Sequence, residues 1–479
     1  MSETTRMRTG TIVGCCVALL LSAGSVGAAT SEIADAVMKR DMTALRVLLA
    51  KGSDSNVPQP DGATALHWAA HWDDLEMAAL LIRAGANVNA TNDYGASPLW
   101  LACGKGSAPM VERLLKAGAN PNTALSSGET ALMAAVETGT VEAVTLLVSA
   151  GADVNTKEPR GSQTALMWAV AEKHPDVVRA LIAHGSDVRA RSKGGFTPLL
   201  FAAQQGDVSS ARLLLAAGAD VNEATSDRMS PLLIAAASGQ EAVAVLLLGA
   251  GADPNAADPR GFTALDYAAS GQHMVEVVKS LLGRGVDPNR RLSQNRRSGG
   301  EAALSMIGAT PLLLAAEAGN HDVVRLLAAN GADPSLATKA GTTPLMVAAG
   351  LGLFEDLRSD LVEDWKTGHL ATAKTLVNLG VDINAVGENG WTALHGAAYT
   401  GLDGLVQILV DRGASMDVKD AFGQTPLSIA EGVITVGLGD DAARRPRNVR
   451  PNISDLLLKL GATPLADSGV QVFVKKQVP

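Results

Sequence analysis

The sequence predicts an all-α repeat solenoid, in which short helical hairpins stack in one direction. A Gly turn, then Thr-Pro-Leu or a close variant, then a run of small residues recurs eleven times, mostly at intervals of 33 residues. A fixed period of this length is typical of chains whose repeats bury their apolar faces only by stacking. The Thr or Ser that marks each repeat lies at Thr64, Ser97, Thr130, Thr164, Thr197, Ser230, Thr263, Thr310, Thr343, Thr392 and Thr425.

Each residue type of the repeat has a local structural reason. The Gly, as at Gly62, supplies a turn conformation that other residues resist. The Thr caps the first helix, and Pro or Ala occupies its first position. The Ala pair that begins at Ala69 lets neighbouring helices approach closely. The second helix carries a Leu pair, as at Leu80, and ends at a Gly such as Gly85.

The stretch from Asn389 to Ala398, Asn-Gly-Trp-Thr-Ala-Leu-His-Gly-Ala-Ala, contains every part of this motif. It resembles the ankyrin repeat, whose signature is Thr-Pro-Leu-His-x-Ala with a period of 33. The resemblance covers about residues 31–465. It implies helix–turn–helix units joined by β-hairpin loops, about eleven full repeats and a binding function whose ligand it does not name. It also implies that the signature His, here His67 and His395, forms structural hydrogen bonds.

The repeat spacing divides the chain into four segments. These are a signal peptide at residues 1–29, an N-terminal capping repeat at 30–58, the solenoid at 59–465 and a C-terminal tail at 466–479. Ser31 is placed to cap the first helix of the capping repeat, which lacks Thr-Pro-Leu. Insertions near residues 290–306, 352–368 and 433–452 interrupt the solenoid. In two repeats, Arg228 replaces the turn Gly and an extra residue follows Gly161, so we expect altered hairpin tips there.

The first 29 residues have the pattern of a secretory signal. Arg6 and Arg8 precede an apolar run, and small residues precede Ala28. We therefore expect an exported chain, periplasmic or secreted, with no membrane span after cleavage; the composition looks bacterial. An uncleaved N-terminal anchor and lipid attachment at Cys15 are the alternatives. Cleavage leaves Cys103 as the one cysteine, which we expect to be a small buried side chain.

Charge and motifs argue against several functional classes. The net charge of −9 is unfavourable for generic nucleic-acid binding. Gly437–Ala442 matches a dinucleotide fingerprint but lies in an insertion without the required strand–turn–helix context. His67 and His71 have the spacing of metal ligands, but His67 fills the signature position, so we expect a structural role. The sequence thus predicts no catalytic residue, no cofactor and no metal.

Two kinds of charged insertion leave alternatives open. Asp356, Asp360 and Asp364 recur every four residues beside an apolar stripe, which predicts an amphipathic helix in the second insertion. Its carboxylates are either a solvated face or part of an enzyme or metal site. The first and third insertions are rich in Arg, as at Arg296 and Arg444, which favours either soluble loops or an acidic partner.

The aromatic residues give the main functional signal. Of 15, twelve lie in hairpin tips or on first helices, and the second helices contain none. In the family that this chain resembles, those two regions line a concave face where partners bind, and large aromatics favour binding hot spots. Packing against the next repeat is an equal alternative for four of these residues, Trp68, Trp168, Phe201 and Tyr267. The predicted partner-binding residues are Trp68, Trp72, Tyr94, Phe196, Phe201, Phe262, Tyr267, Trp391 and Tyr399.

The leading prediction is therefore a non-enzymatic interaction module that grips a protein or an extended peptide on its aromatic concave face. The alternatives are a secreted effector or inhibitor of another protein, and an enzyme that uses the acidic insertion. Neither the partner nor the oligomeric state follows from the sequence.

Overall fold

The computed structural model describes the repeats and parts of the insertions. Its described residues are 31–294, 305–351, 362–387, 389–432 and 449–466, with the side chains of 362–364 left out. The chain forms two compact units, Met1–Ser226 and Asp227–Pro479. The 33-residue spacing from Thr197 to Ser230 gives no sign of a division between them. The described residues contain 24 helices and no strand.

Unit 1 contains the capping repeat and the first five full repeats. The first helix of each repeat has an odd number and the second helix an even number. The helices of unit 1 are α1 (Glu32–Met38), α2 (Met42–Ala50), α3 (Ala65–His71), α4 (Leu75–Arg83), α5 (Pro98–Gly104), α6 (Ala108–Lys116), α7 (Ala131–Glu137), α8 (Val141–Ser149), α9 (Ala165–Ala171), α10 (Pro175–Ala183), α11 (Pro198–Gln205) and α12 (Val208–Ala216).

Unit 2 contains the remaining six repeats in the same alternation. Its helices are α13 (Pro231–Ala237), α14 (Glu241–Gly249), α15 (Ala264–Ser270), α16 (Val275–Leu282), α17 (Pro311–Glu317), α18 (His321–Ala329), α19 (Pro344–Ala348), α20 (Val362–Asn378), α21 (Ala393–Thr400), α22 (Asp403–Asp411), α23 (Pro426–Ala430) and α24 (Pro451–Leu460).

The predicted caps are present. Ser31 Oγ accepts a hydrogen bond from the Ala34 amide at 3.2 Å, and Thr130 Oγ1 accepts one from Met133 at 3.2 Å. These bonds satisfy amides that the first turn of a helix leaves without an intrahelical partner. Cys103 in α5 is fully buried, as predicted, and burial raises the pKa of its thiol above the usual range.

Within each unit the helices form two layers. First helices pack on first helices, as α3 does on α5, and second helices on second helices, as α6 does on α8. Asparagines join consecutive repeats at the loops that follow the second helices: Asn56 Nδ2 donates to Gly85 O at 3.1 Å, and Asn56 Oδ1 accepts from the Asn87 amide at 2.6 Å. The repeats are thus linked by hydrogen bonds as well as by apolar packing.

Hairpin tips touch their neighbours through the backbone. The Ser126 amide donates to Tyr94 O at 2.9 Å, and the Lys339 amide donates to Ile307 O at 2.8 Å. A Cβ on Gly95 would lie 2.7 Å from the Ser126 nitrogen, so this tip requires glycine for close approach as well as for its φ of +81°. The predicted β-hairpins are reduced to two isolated antiparallel bridges among the described residues, Ala124–Thr130 and Ala257–Thr263.

At the two irregular tips, the replaced glycine and the extra residue affect only the local backbone. Arg228 keeps the left-handed turn with φ 56°, and Ser162, beside the extra residue, has φ 52°. Both residues occupy a backbone region that non-glycine side chains disfavour. The repeats continue through both tips, as predicted, but the tip at Arg228 keeps the same turn conformation as the glycine-containing tips.

Parts of the insertions fall outside the described residues. Helix α20 begins at Val362 and continues for 17 residues into the repeat. Asp356, Asp360, Arg296 and Arg444 lie outside the described ranges, so their predicted roles stay predictions. Among the helices of the described residues, none combines the length and the apolar character needed to cross a membrane.

Candidate functional site

The signature histidines hold their repeats together. His67 Nδ1 accepts from the Thr64 amide at 3.0 Å, and its Nε2 lies 3.0 Å from Ala96 O, which requires the Nε2–H tautomer. His67 is fully buried, and burial lowers its pKa from 6.5 to about 4. His395 makes the equivalent contacts with Thr392 and Gln424. The structural interpretation of these residues is confirmed; both ring nitrogens of His67 are used within the chain.

We call the hairpin tips and the exposed sides of the first helices the first-helix face. In unit 1 its most prominent side chain is Trp72, which is 38% exposed at the end of α3. The Trp72 ring stacks on Trp68, with centroids 6.2 Å apart, and the Arg40 guanidinium lies 5.9 Å above it. The His71 ring makes an edge contact with the Trp72 ring, with centroids 4.7 Å apart. These contacts orient an indole that still reaches solvent.

Three predicted contact residues are buried. Trp68 is 2% exposed, Phe201 6% and Phe262 2%. Trp68 lies under Trp72 and donates from Nε1 to Gln59 Oε1 at 2.6 Å, while Phe201 packs against Phe196 at 5.3 Å. For Trp68 and Phe201 this burial agrees with the core alternative. Phe262 is buried as well, with the Tyr267 ring 5.8 Å and the Arg260 guanidinium 6.0 Å from its ring.

Three further aromatic residues of unit 1 reach solvent. Tyr94 is 38% exposed in the tip between α4 and α5, where its backbone carbonyl bonds the next tip. Phe196 is partly exposed and lies against Phe201. The accessible aromatics of this unit are therefore Trp72, Tyr94 and parts of Phe196 and Trp168.

Unit 1 also carries carboxylates on this face. Burial, and next the nearby Glu158, raise the pKa of Glu129, which lies in the tip before α7. Burial, then Glu172 and Glu129, raise the pKa of Glu137 at the end of α7. These half-buried acids repel one another and give this part of the face an acidic character.

In unit 2 the aromatics are tied to buried tip acids. Tyr267 is partly exposed and donates its hydroxyl to Asp258 Oδ2 at 2.9 Å, and Asp258 also accepts from the Phe262 amide at 2.8 Å. Burial, followed by this hydrogen bond, raises the pKa of Tyr267 to about 12. Asp258 is 2% exposed. The phenol is thus oriented by a carboxylate that the tip itself encloses.

The second aromatic group of unit 2 is built around Trp391. Its Nε1 donates to Asp420 Oδ2 at 3.0 Å, and its ring lies 6.1 Å from Tyr399 and 5.9 Å from His395. Trp391 and Tyr399 are both partly exposed. The structure therefore places these two predicted contact residues next to each other.

Sequence reasoning missed the polar residues that position these rings, although a signal exists. Gln59 precedes Trp68 by nine residues, and Asp258 precedes Tyr267 by nine. A polar residue at that offset from an aromatic marks the same tip-to-helix contact in both repeats. No comparable offset identifies Asp420, which belongs to the repeat after Trp391.

Among the described residues, no group of three or more His, Cys, Asp or Glu side chains is arranged to hold a metal ion. His67 and His71 therefore do not belong to such a group. Burial, and next the charge of Lys105, lower the pKa of His71.

A family model for ankyrin repeats, described as three copies, matches most of the chain. Its matches cover residues 33–124, 73–158, 105–192, 132–225, 199–291, 295–359 and 361–433. The chain therefore belongs to the ankyrin-repeat family. Ankyrin repeats generally serve as protein–protein interaction modules and typically act as non-enzymatic scaffolds.

Curated relatives share only segments with this chain. The chain is 37% identical over 122 residues to ankyrin repeat and SOCS box protein 16 of Mus musculus, covering 25% of each chain. It is 30% identical over 192 residues to SH3 and multiple ankyrin repeat domains protein 2 of Homo sapiens, covering 36% of this chain and 10% of that protein. The chain thus spans a quarter or less of these relatives. The human ASB11 ankyrin repeat domain is similar over 47% of this chain and all of that domain, with 29% identity and a TM-score of 0.42.

Proposed function

We propose that this chain is a non-enzymatic interaction module that holds a protein or an extended peptide on its first-helix face. The observation that carries the proposal is the Trp72 indole, 38% exposed yet oriented by Trp68 and Arg40. Rigid, partly exposed aromatics lose little conformational entropy on binding and are enriched in hot spots. Tyr94 lies one repeat further along the same unit.

The backbone around Trp72 supports a role for this surface. Arg40 and Asp73, at the equivalent position of consecutive repeats, have φ values of 58° and 55°, whereas the next two repeats have glycine there. Left-handed backbone costs a non-glycine residue about 1 kcal/mol. Lys173 and His273 hold the same conformation in two other repeats, but of these residues Arg40 also contacts the Trp72 ring.

Photo-crosslinking tests the proposal. A benzoyl-phenylalanine in place of Tyr94 should capture a defined protein, and Trp72→Ala in the same chain should reduce the yield about tenfold or more. Placing the crosslinker at Val141, which is 37% exposed on α8, provides the control. Equal capture from positions 94 and 141, or a yield unchanged by Trp72→Ala, would contradict the proposal.

We further propose that the chain is exported, on the strength of the signal-like residues 1–29 alone. N-terminal sequencing of the mature protein should find cleavage next to Ala28 or Ala29. A mature chain that begins at a lipidated Cys15, or one that keeps Met1, would contradict cleavage at this site. Localisation of the mature chain also separates a periplasmic scaffold from a secreted effector or inhibitor.

A further inference from the structure

The hairpin tips of unit 2 carry a row of cations, which we name the basic tip row. Its members are Arg228, Arg260, Arg290, Arg291 and Lys339. They come from the tips of four consecutive repeats. Neighbouring tips are in direct contact, as the 2.8 Å bond from the Lys339 amide to Ile307 O illustrates.

The arginines of this row are held in place by the chain. Arg228 donates from Nη2 to Asp258 O in the next tip at 3.3 Å. The Arg260 guanidinium lies 6.0 Å from the Phe262 ring centroid, and Arg291 donates to Ala337 O in a neighbouring tip. A guanidinium has five donor hydrogens, so the hydrogen bonds of Arg228 and Arg291 leave donors for a ligand.

The fourth arginine is fixed more deeply. Arg290 Nη1 lies 3.0 Å from Asp266 Oδ2, and Asp266 is fully buried in α15. The Arg290 side chain itself is 35% exposed. Its guanidinium is therefore anchored by Asp266 while about a third of the side chain stays exposed.

The acids close to this row are largely enclosed. Asp258 and Asp266 are at most 2% exposed, and their oxygens accept bonds from the tip and from Thr263. In the described tip residues 225–230, 257–263, 290–294, 305–310 and 338–343, Asp227 is the one exposed carboxylate. Asp253, Asp287 and Asp333 are exposed in the loops that lead into these tips. The first three tips of unit 1, by contrast, carry Asp61, Asp93 and Glu129 and no Lys or Arg.

Arg228 shows that the chain tolerates strain to keep this charge. It holds φ 56° at the position where Gly261 and Gly308 hold the same turn in the next two repeats. Glycine adopts this conformation freely, so the arginine is not needed for the turn.

We propose that the basic tip row is a docking surface for an extended acidic segment of a partner protein. The inference rests on the interaction function proposed above and names the chemistry of the partner at a second surface, in unit 2. Consecutive helices pack about 8–10 Å apart, and an extended chain rises about 3.3 Å per residue. A carboxylate at about every third residue therefore meets successive tips.

A nucleic acid fits this surface less well. The whole chain has a net charge of −9, which opposes a polyanion with one charge per nucleotide. Single-stranded nucleic acids also need exposed aromatic faces for stacking, and Phe262, the ring under Arg260, is 2% exposed.

Fluorescence anisotropy with the full chain tests the proposal. The probe is a fluorescein-labelled peptide of four Glu-Gly-Ser triplets, and the comparison probes are four Lys-Gly-Ser triplets and a 12-nucleotide oligothymidylate. We expect binding of the Glu peptide only, weakened several-fold between 50 and 200 mM salt as expected for exposed charges.

Three variants locate the binding. Arg228→Gly and Arg260→Gln should each weaken binding of the Glu peptide about three- to fivefold. Arg325→Gln removes the same charge from the exposed side of α18 and should change it less than about twofold. Circular dichroism confirms that each variant is folded.

Failure of this inference is distinguishable from failure of the interaction function. No binding of the Glu peptide, equal binding of the oligothymidylate, or equal weakening by Arg325→Gln would overturn the acidic-partner proposal. None of these outcomes affects capture through position 94 and Trp72 in unit 1.

Discussion

The repeats that begin at Thr64 and Thr263 place opposite chemistry at one structural position. In the first, His67 caps α3 and bonds Ala96 O of the next repeat. In the second, Asp266 caps α15 and pairs instead with Arg290. Both side chains are fully buried. The comparison shows that the repeat requires a polar group that can close the helix start and reach the next repeat, and accepts either a neutral ring or an ion pair.

Burial shifts the pKa values of these two side chains in opposite directions. It lowers the pKa of His67 and raises the pKa of Asp266, because in each case the neutral form is favoured away from water. Arg290 opposes the second shift by stabilising the carboxylate. The two repeats should therefore respond to pH in opposite directions.

The largest expected effect is that of His67→Ala. It removes a buried side chain, the capping acceptor and the link to Ala96, so the free energy of unfolding of unit 1 should fall by about 3 kcal/mol. Urea unfolding followed by circular dichroism measures the change. His184→Ala, at an exposed position of the same unit, is the control and should cost about 0.5 kcal/mol or less. Equal losses for both variants would show that His67 does not link the repeats.

The next effect is the pH dependence of the free energy of unfolding that His67 causes. Its folded pKa of about 4 lies below the ordinary 6.5, so the folded chain binds fewer protons between these values. The contribution of neutral, buried His67 to the free energy of unfolding is fully present above pH 6.5. It is lost as pH falls towards 4, by about 3 kcal/mol in total. The stability difference between wild type and His67→Ala should therefore shrink over this range; a constant difference would contradict the burial argument.

Asp266 should give an effect of the opposite sign. Because its folded pKa is raised, its contribution is fully present below the ordinary value of 3.8 and decreases as pH rises through the raised value. Wild type should therefore gain stability relative to Asp266→Asn as pH falls towards 3.8. Urea midpoints at a series of pH values measure this. A relative gain on raising the pH instead would mean that Arg290 outweighs burial.

The smallest effect is expected for Arg228→Gly. The change relieves the left-handed φ of 56° but loses the bond to Asp258 O and adds freedom to the unfolded chain. The free energy of unfolding should change by less than about 1 kcal/mol. A thermal melt checks this, with Arg325→Gln for comparison. A loss of 2 kcal/mol or more would mean that Arg228 is a structural residue of the tip.

The repeat motif predicted the fold and part of the candidate site. The Thr, Gly and Leu positions indicated the capped first helices, and the aromatic positions singled out Trp391 and Tyr399, whose rings lie 6.1 Å apart. The pairing of Asp266 with Arg290 was not predictable, because the two residues are 24 apart and Arg290 lies where the first insertion disturbs the period. The burial of Phe262 was missed since a tip position does not reveal which side chains cover it.

The sequence by itself determined the repeat length, the caps and the turns, because these depend on short-range backbone preferences that recur with each copy. The tertiary structure decided which aromatics remain accessible. Trp68 and Trp72 are four residues apart, yet one is 2% and the other 38% exposed. Exposure depends on which side chains lie over a ring: Gln59 of the same repeat bonds Trp68, whereas Arg40 of the preceding repeat lies over Trp72. Such contacts exist only once the chain has folded and its repeats have stacked.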